Sequence, residues 1–331
     1  MKKFLSTFLL AVSVITLAAC GNSKESSSKE SSTSTSQVSS SSSSSSETSK
    51  AEDKKVVEIK DKNGKKTVPY NPKKVVVFNY SSLDTLDSLG LKDRVVGLPK
   101  DVLPTYLKQY GNVESVGGVL EPDLEKVNKI KPDLIIISGR QKNYQEKLEK
   151  IAPTVFFSVE ESAPWKSTQE GIQELAKIFG KEEEADKKLA SIQSSMDKLK
   201  EENSKSDKKS LIIMASEGSL STFGKESRFG IIFDAYGFKP ADDNIKSEGH
   251  GQSVSYEYIA EKNPDIIFTI DRTKAIGGDD SKNNLADNDL VKETNAGKNG
   301  KVISLDPQVW YLAGSGIESL EIMTSDLQKA E

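Results

Sequence analysis

Residues 125–140 read EKVNKIKPDLIIISGR, and residues 257–272 read EYIAEKNPDIIFTIDR. In each copy a helix-like stretch stops at a proline, an apolar run of strand length follows Pro-Asp, and an arginine emerges just past the run. The spacing from Glu125 through Pro132-Asp133 to Arg140 is repeated from Glu257 through Pro264-Asp265 to Arg272. The duplication predicts two similar lobes, each aiming one guanidinium at a shared cleft.

Working outward, Val75 to Phe78 is a short apolar run followed by a helix pattern through Leu83, Leu86 and Leu89 that ends at Gly90. Further strands are expected at Leu134–Ile137 and Thr154–Phe157, with helical stretches at Leu124–Ile130 and Gln145–Ile151. This alternation indicates an α/β class with mostly parallel sheets flanked by helices. After Glu182-Glu183-Glu184, the apolar positions Ala185, Leu189, Ile192, Met196 and Leu199 step by four and three, the signature of one long amphipathic helix. The second lobe restarts at Leu211–Met214, continues through a helix-like Arg228–Tyr236, and adds strands at Ile266–Thr269 and Lys301–Leu305. Gly277–Asn284 and Asn295–Gly300 read as turns. The resulting division is 55–180 for the N-terminal lobe, 181–203 for the joining helix and 204–331 for the C-terminal lobe.

The N-terminus supplies an address. Lys2-Lys3, an apolar stretch from Phe4 to Leu17 and small residues before Cys20 form a signal peptide over residues 1–19. Leu17-Ala18-Ala19-Cys20 resembles the lipobox of bacterial lipoproteins, which implies a lipidated Cys20 on the outer face of the cell membrane; simple secretion is the alternative. Cys20 is the only cysteine, so no intrachain disulfide is available. Residues 20–54 are dominated by serine and cannot bury a core, which makes them a flexible tether of the kind a Gram-positive envelope requires. A net charge of −4 with both signs interspersed leaves no basic footprint for nucleic acid.

Among 46 basic residues only four are arginine, and three of them, Arg140, Arg228 and Arg272, stand at strand or helix ends. A guanidinium offers a planar fork of donors that suits anionic oxygens better than lysine does. His250, the only histidine, sits in the polar, glycine-flanked run Ser247-Glu248-Gly249-His250-Gly251, where it can complete a coordination sphere but not build one. A histidine without a role is the bland alternative. Trp310-Tyr311 follow a strand and precede the last helix, where they could be core or could face a ligand. Tyr80 and Trp165 are weaker aromatic candidates, and Lys142 is an accessory cation.

Together these residues resemble the class III, helical-backbone solute-binding proteins of ABC importers, over residues 55–331. Arg140, Arg228, His250, Arg272 and Tyr311 resemble the ligand set of the catecholate-siderophore branch. That resemblance implies two lobes on one long helix holding a ferric siderophore in a shallow cleft, with Lys142, Tyr80 and Trp310 as accessory contacts. It implies that iron is met by His250 and Tyr311 only within a siderophore complex, with no intrinsic cofactor. Glu125 and Glu257 match the paired surface acids that dock on a two-subunit permease, and the expected state is a monomer.

Other readings fare less well. A manganese or zinc binder would gather several histidines; a haem, cobalamin or ferric hydroxamate carrier of the same fold stays open, as does a surface adhesin on a serine-rich stalk. Gly218–Lys225 has the wrong glycine spacing for a phosphate loop and Glu226 in place of Ser or Thr, and no Gly-x-Ser-x-Gly elbow is present, so an enzyme is not expected.

Overall fold

The computed structural model describes residues 55–246 and 249–331; the signal sequence, Cys20 and the tether through residue 54 lie outside the described residues. A hairpin, β1 (Val56–Asp61) and β2 (Gly64–Pro69), turns at Lys62-Asn63. It precedes a sheet made of β3 (Val75–Val77), β4 (Val95–Leu98), β5 (Glu114–Ser115), β6 (Leu134–Ile137) and β7 (Thr154–Phe156). All its pairings are parallel, in the order β5-β4-β3-β6-β7. The chain builds outward from β3 in one direction, then returns to build from β6 in the other. The gap above β3 and β6 is therefore a topological switch point, where α/β sheets place their ligands. Helices α1 (Tyr80–Ser88), α2 (Leu124–Ile130) and α3 (Gln145–Glu149) connect these strands.

Next come α4 (Pro164–Phe179) and the long α5 (Glu182–Ser204), whose 23 residues span roughly 35 Å. Its buried positions are the five expected from the periodicity, Ala185, Leu189, Ile192, Met196 and Leu199. The second sheet has β8 (Lys209–Ser216), β9 (Ser219–Thr222), β10 (Lys239–Pro240), β11 (Gln252–Val254), β12 (Ile266–Asp271) and β13 (Val302–Ser304). Its order is β11-β9-β8-β12-β13, with β10 beside β8. The short helices α6 (Ile231–Asp234), α7 (Tyr256–Lys262), α8 (Arg272–Ala275), α9 (Asp289–Lys292) and α10 (Asn295–Lys298) and the terminal α11 (Ile317–Gln328) complete it. No helix among the described residues is long and apolar enough to cross a membrane.

The repeated motif is a repeat in three dimensions. Asp123 caps α2 by accepting from Lys126 N, and Ser255 caps α7 by accepting from Tyr258 N. Both helices end on a left-handed residue, Lys131 at φ 50° and Asn263 at φ 41°, directly before the proline. Proline disfavours a helical conformation in the residue before it, so the chain must leave the helix there. The following aspartate then pins the neighbouring strand: Asp133 Oδ2 accepts from Lys73 N and Lys74 N, and Asp265 Oδ2 accepts from Lys209 N, all at 2.9 Å.

Strand alternation distributes the core. Leu134 and Ile136 of β6, Ile212 and Met214 of β8, and Ile266, Phe268 and Ile270 of β12 join one continuous cluster with α1, α4, α5 and α11. Ile135 and Ile137 face a second cluster against the helices of the first sheet, and Leu211, Ile213 and Ile267 a third. The inner faces of both sheets thus share one core. Asp84 of α1, fully buried, ties the two ends of the chain by accepting from Glu318 N (2.8 Å) and Ser319 N (2.7 Å) at the start of α11.

The second sheet is parallel through β10-β8-β12-β13 and carries an antiparallel edge, where Glu217 and Gly218 (φ 52° and 83°) form a two-residue turn that reverses β8 into β9. Two expectations need correction. The helix expected over Arg228–Tyr236 contracts to α6, since Ser227 Oγ donates to Gly224 O at 2.6 Å and closes a tight turn first. Asn295–Gly300 is not only turn: Thr294 Oγ1 accepts from Gly297 N and caps the helical turn α10.

Candidate functional site

A cleft of about 500 Å³ opens above the C-terminal ends of both sheets. From the first sheet it receives Asn79 and Ser81 after β3, Ser138 to Arg140 after β6, and Phe157, Ser158, Val159 and Glu161 after β7. From the second it receives Arg272 after β12, Trp310 and Tyr311 beyond β13, and Arg228 and His250 from loops. The sequence places Arg140 and Arg272 here by the same device in each copy: Ser138 and Asp271 cap the turn that follows the strand, and the arginine stands in its first residues.

The three arginines converge on Tyr311. Arg140 Nη2 and Arg228 Nη2 each donate to the Tyr311 carbonyl at 2.7 Å, and Arg272 Nε donates to the Tyr311 hydroxyl at 2.9 Å. Arg272 Nη1 also donates to Ser216 Oγ at 2.9 Å. Their guanidinium carbons lie 5.5, 4.7 and 5.6 Å from the Tyr311 ring centre. Tyr311 lies between β13 and α11, in a π-helical turn, Val309–Ala313. The last carbonyls of a helical turn lack intrahelical partners and carry its negative pole, so that of Tyr311 attracts two cations.

Among the described lining residues, Glu161 is the one carboxylate, and no arginine of the cleft has a carboxylate as its hydrogen-bond partner. The positive charge shows in the acid–base properties. Burial, then the charge of Arg140, pushes the Arg228 guanidinium down to about 10. Burial also lowers Arg140. Burial raises the Tyr311 phenol, but the Arg272 hydrogen bond and the three guanidinium charges more than offset it, leaving the group below its ordinary value. The site is arranged to receive negative charge, and to make a phenolate at Tyr311 easier to form than in water.

His250 is exposed at the rim contributed by the second sheet, as its polar loop implied. Trp310 reaches the cleft floor, but it is 2% exposed and its Nε1 donates to Asp326 Oδ2 at 3.0 Å, so most of it is core. Two expected ligand contacts are not in the cleft. Tyr80 is buried and its hydroxyl donates to Pro99 O at 3.0 Å, because the Asn79 cap starts α1 with Tyr80 facing inward. Lys142 is exposed, carried to the outside by the tight turn two residues past Arg140. Trp165 packs as a core residue, its Nε1 donating to Gln193 Oε1 of α5 at 2.6 Å. Glu125 and Glu257 are exposed at equivalent positions in the first turns of α2 and α7. Sequence reading missed Ser216, Glu161 and Leu120, none of which lies in a motif.

The fold recurs in known proteins. A family model described as periplasmic binding protein matches residues 75–309. The chain belongs to that family. Its members are solute-binding proteins, not enzymes. The petrobactin-binding protein YclQ of Bacillus subtilis is 45% identical over 99% of this chain and 98% of its own. The crystal structure of YclQ superposes with a TM-score of 0.82 at 46% identity, covering 84% of this chain and 99% of that one. The iron-uptake ABC transporter substrate-binding protein PiuA of Streptococcus pneumoniae gives 0.81 at 42% identity, covering 83% and 98%. The periplasmic catecholate-siderophore binding protein VctP of Vibrio cholerae gives 0.79 at 35% identity, covering 83% and 100%.

Proposed function

We propose that this protein is the lipid-anchored solute-binding component of an ABC importer and that it captures a ferric catecholate siderophore on the outer face of the cell membrane. The observation that carries the reading is the set of three guanidinium groups gathered around Tyr311 without a carboxylate partner among the described residues. A ferric tris-catecholate is a trianion whose catecholate oxygens accept hydrogen bonds, so Arg140, Arg228 and Arg272 would neutralise and orient it. The name of VctP, a catecholate-siderophore binding protein, supports the ligand class, and that of PiuA, an iron-uptake ABC transporter substrate-binding protein, supports the importer type.

A bis-catecholate leaves two positions on iron open. Tyr311, with its lowered phenol, and His250, which lines the same cleft, are the oxygen and nitrogen donors available to fill them. Lipidation of Cys20, residues 20–54 as tether, and 55–180 and 204–331 as lobes about the helix of 181–203 complete the proposed organisation. Glu125 and Glu257 are assigned to permease docking: they are exposed and hold the same place in the two copies of the motif, as a two-subunit partner requires.

The test is a tyrosine and tryptophan fluorescence-quenching titration with ferric bis-catecholate, ferric enterobactin, ferric hydroxamate and haem. Submicromolar quenching by the catecholates, with His250→Ala and Tyr311→Phe weakening only the bis-catecholate, is expected. Quenching by haem or hydroxamate alone would overturn the ligand class.

A further inference from the structure

Beside the arginines, the cleft is lined by a leucine held out in water. Leu120 is 62% exposed, the most exposed of the large aliphatic side chains in either sheet's loops. An exposed leucine on a mobile loop would need no explanation. This loop is not built to be mobile.

Val119 N donates to both oxygens of Asp101, at 3.0 and 3.1 Å. Val119 O accepts from Gln141 Nε2, and Val119 itself is buried. Gly118 N donates to Glu121 O at 3.0 Å, and Gly117 and Pro122 close the loop as an antiparallel bridge. Gly117 has φ +99°, and a Cβ there would meet Glu121 O and Asp123 N at 2.6 Å, so the tight closure depends on glycine. Gln141 is the neighbour of Arg140 in the same turn. Leu120 is thereby fixed in register with the guanidinium of the first lobe.

We infer that Leu120 is a preformed apolar contact for the aromatic face of the bound complex and helps set specificity for ring-bearing ligands. This rests on the ferric catecholate reading. The arginines at Tyr311 meet the oxygens around iron, whereas the outer faces of catechol rings are apolar and gain nothing from guanidinium donors at their edges. A fixed leucine at the rim covers such a face without ordering cost, since its loop is already held.

The test compares wild type, Leu120→Ala and Leu120→Met by calorimetric titration of the full chain with ferric enterobactin, with melting temperatures measured alongside. Leu120→Ala should raise Kd about three- to tenfold, the range expected for losing partial burial of one leucine, and Leu120→Met should restore most of the affinity. All three should melt together, because the side chain is exposed in the free protein. Equal Kd for Leu120→Ala and a tightly binding wild type overturns this inference alone. If the wild type itself does not bind ferric enterobactin, both this inference and the catecholate reading fall.

Discussion

Replacing Arg228 by methionine should weaken ligand binding and strengthen the free protein. In the folded chain burial and the adjacent Arg140 charge push the Arg228 guanidinium down from its ordinary value to about 10, which corresponds to about 3 kcal/mol against the charged form. Because the folded value lies below the unfolded one, this penalty is present at every pH under about 10 and disappears only above it. Arg228→Met discards the charge and keeps a stem of similar length. It also loses the hydrogen bond to Tyr311 O and the stacking on Phe229 and Tyr311, at 4.9 and 4.7 Å, contacts worth roughly 1–2 kcal/mol together. The balance is a gain of about 1–2 kcal/mol, or about 2–5 °C in melting temperature. A charge-assisted bond to an anionic ligand contributes about 1.5–3 kcal/mol, so Kd for ferric enterobactin should rise about 10- to 150-fold. Differential scanning calorimetry and isothermal titration read the two effects. A variant that melts lower and binds as before would refute the reasoning, since Arg228 would then be a structural residue.

Tyr311→Phe should remove the most acidic phenol from an ultraviolet tyrosine titration; if the low-lying step persists, the arginine cluster is not acting on Tyr311. Burial pushes the Asp84 carboxyl up to about 6 from 3.8, against the donors Ser319 N, Glu318 N and Tyr106 Oη, with Ser88 and Asp87 on its own helix. Stability from this group is therefore fullest below the unfolded value and is lost as pH rises through about 6. The melting temperature of wild type minus that of Asp84→Asn should fall between about pH 4 and about pH 7, and a flat difference would contradict the assignment. Glu125→Ala and Glu257→Ala should each lower iron uptake by cells while leaving Kd for the ligand unchanged; a changed Kd would place them outside docking.

The parts of the fold that are local were legible. A proline soon after seven helical residues, an aspartate and an apolar run dictate where α2 and α7 stop and where β6 and β12 begin, and the period of α5 names its buried face. The Lys62-Asn63-Gly64 hairpin and the Glu217-Gly218 turn carried turn chemistry that the reading passed over. The arginines were legible as a scarce residue type in repeated positions, but their meeting point was not. Arg140 and Arg228 reach Tyr311 across 171 and 83 residues, and Asp84 reaches α11 across 234 to 235. No periodicity encodes such closures; they follow from packing both inner sheet faces on one core. Tyr80 shows the converse, a tyrosine whose neighbour Asn79 lines the cleft while a one-residue step turns it into the core.

Three guanidinium groups with no carboxylate partner among the described residues select an anionic ferric complex. This selection is tested most directly by measuring Kd for the trianionic ferric enterobactin and for a neutral ferric trihydroxamate under the same buffer and salt. The expected result is a preference of at least about 100-fold for the trianion, equivalent to about 3 kcal/mol, and its loss when Arg140, Arg228 and Arg272 are replaced together. Equal affinities, or tighter binding of the neutral complex, would contradict it.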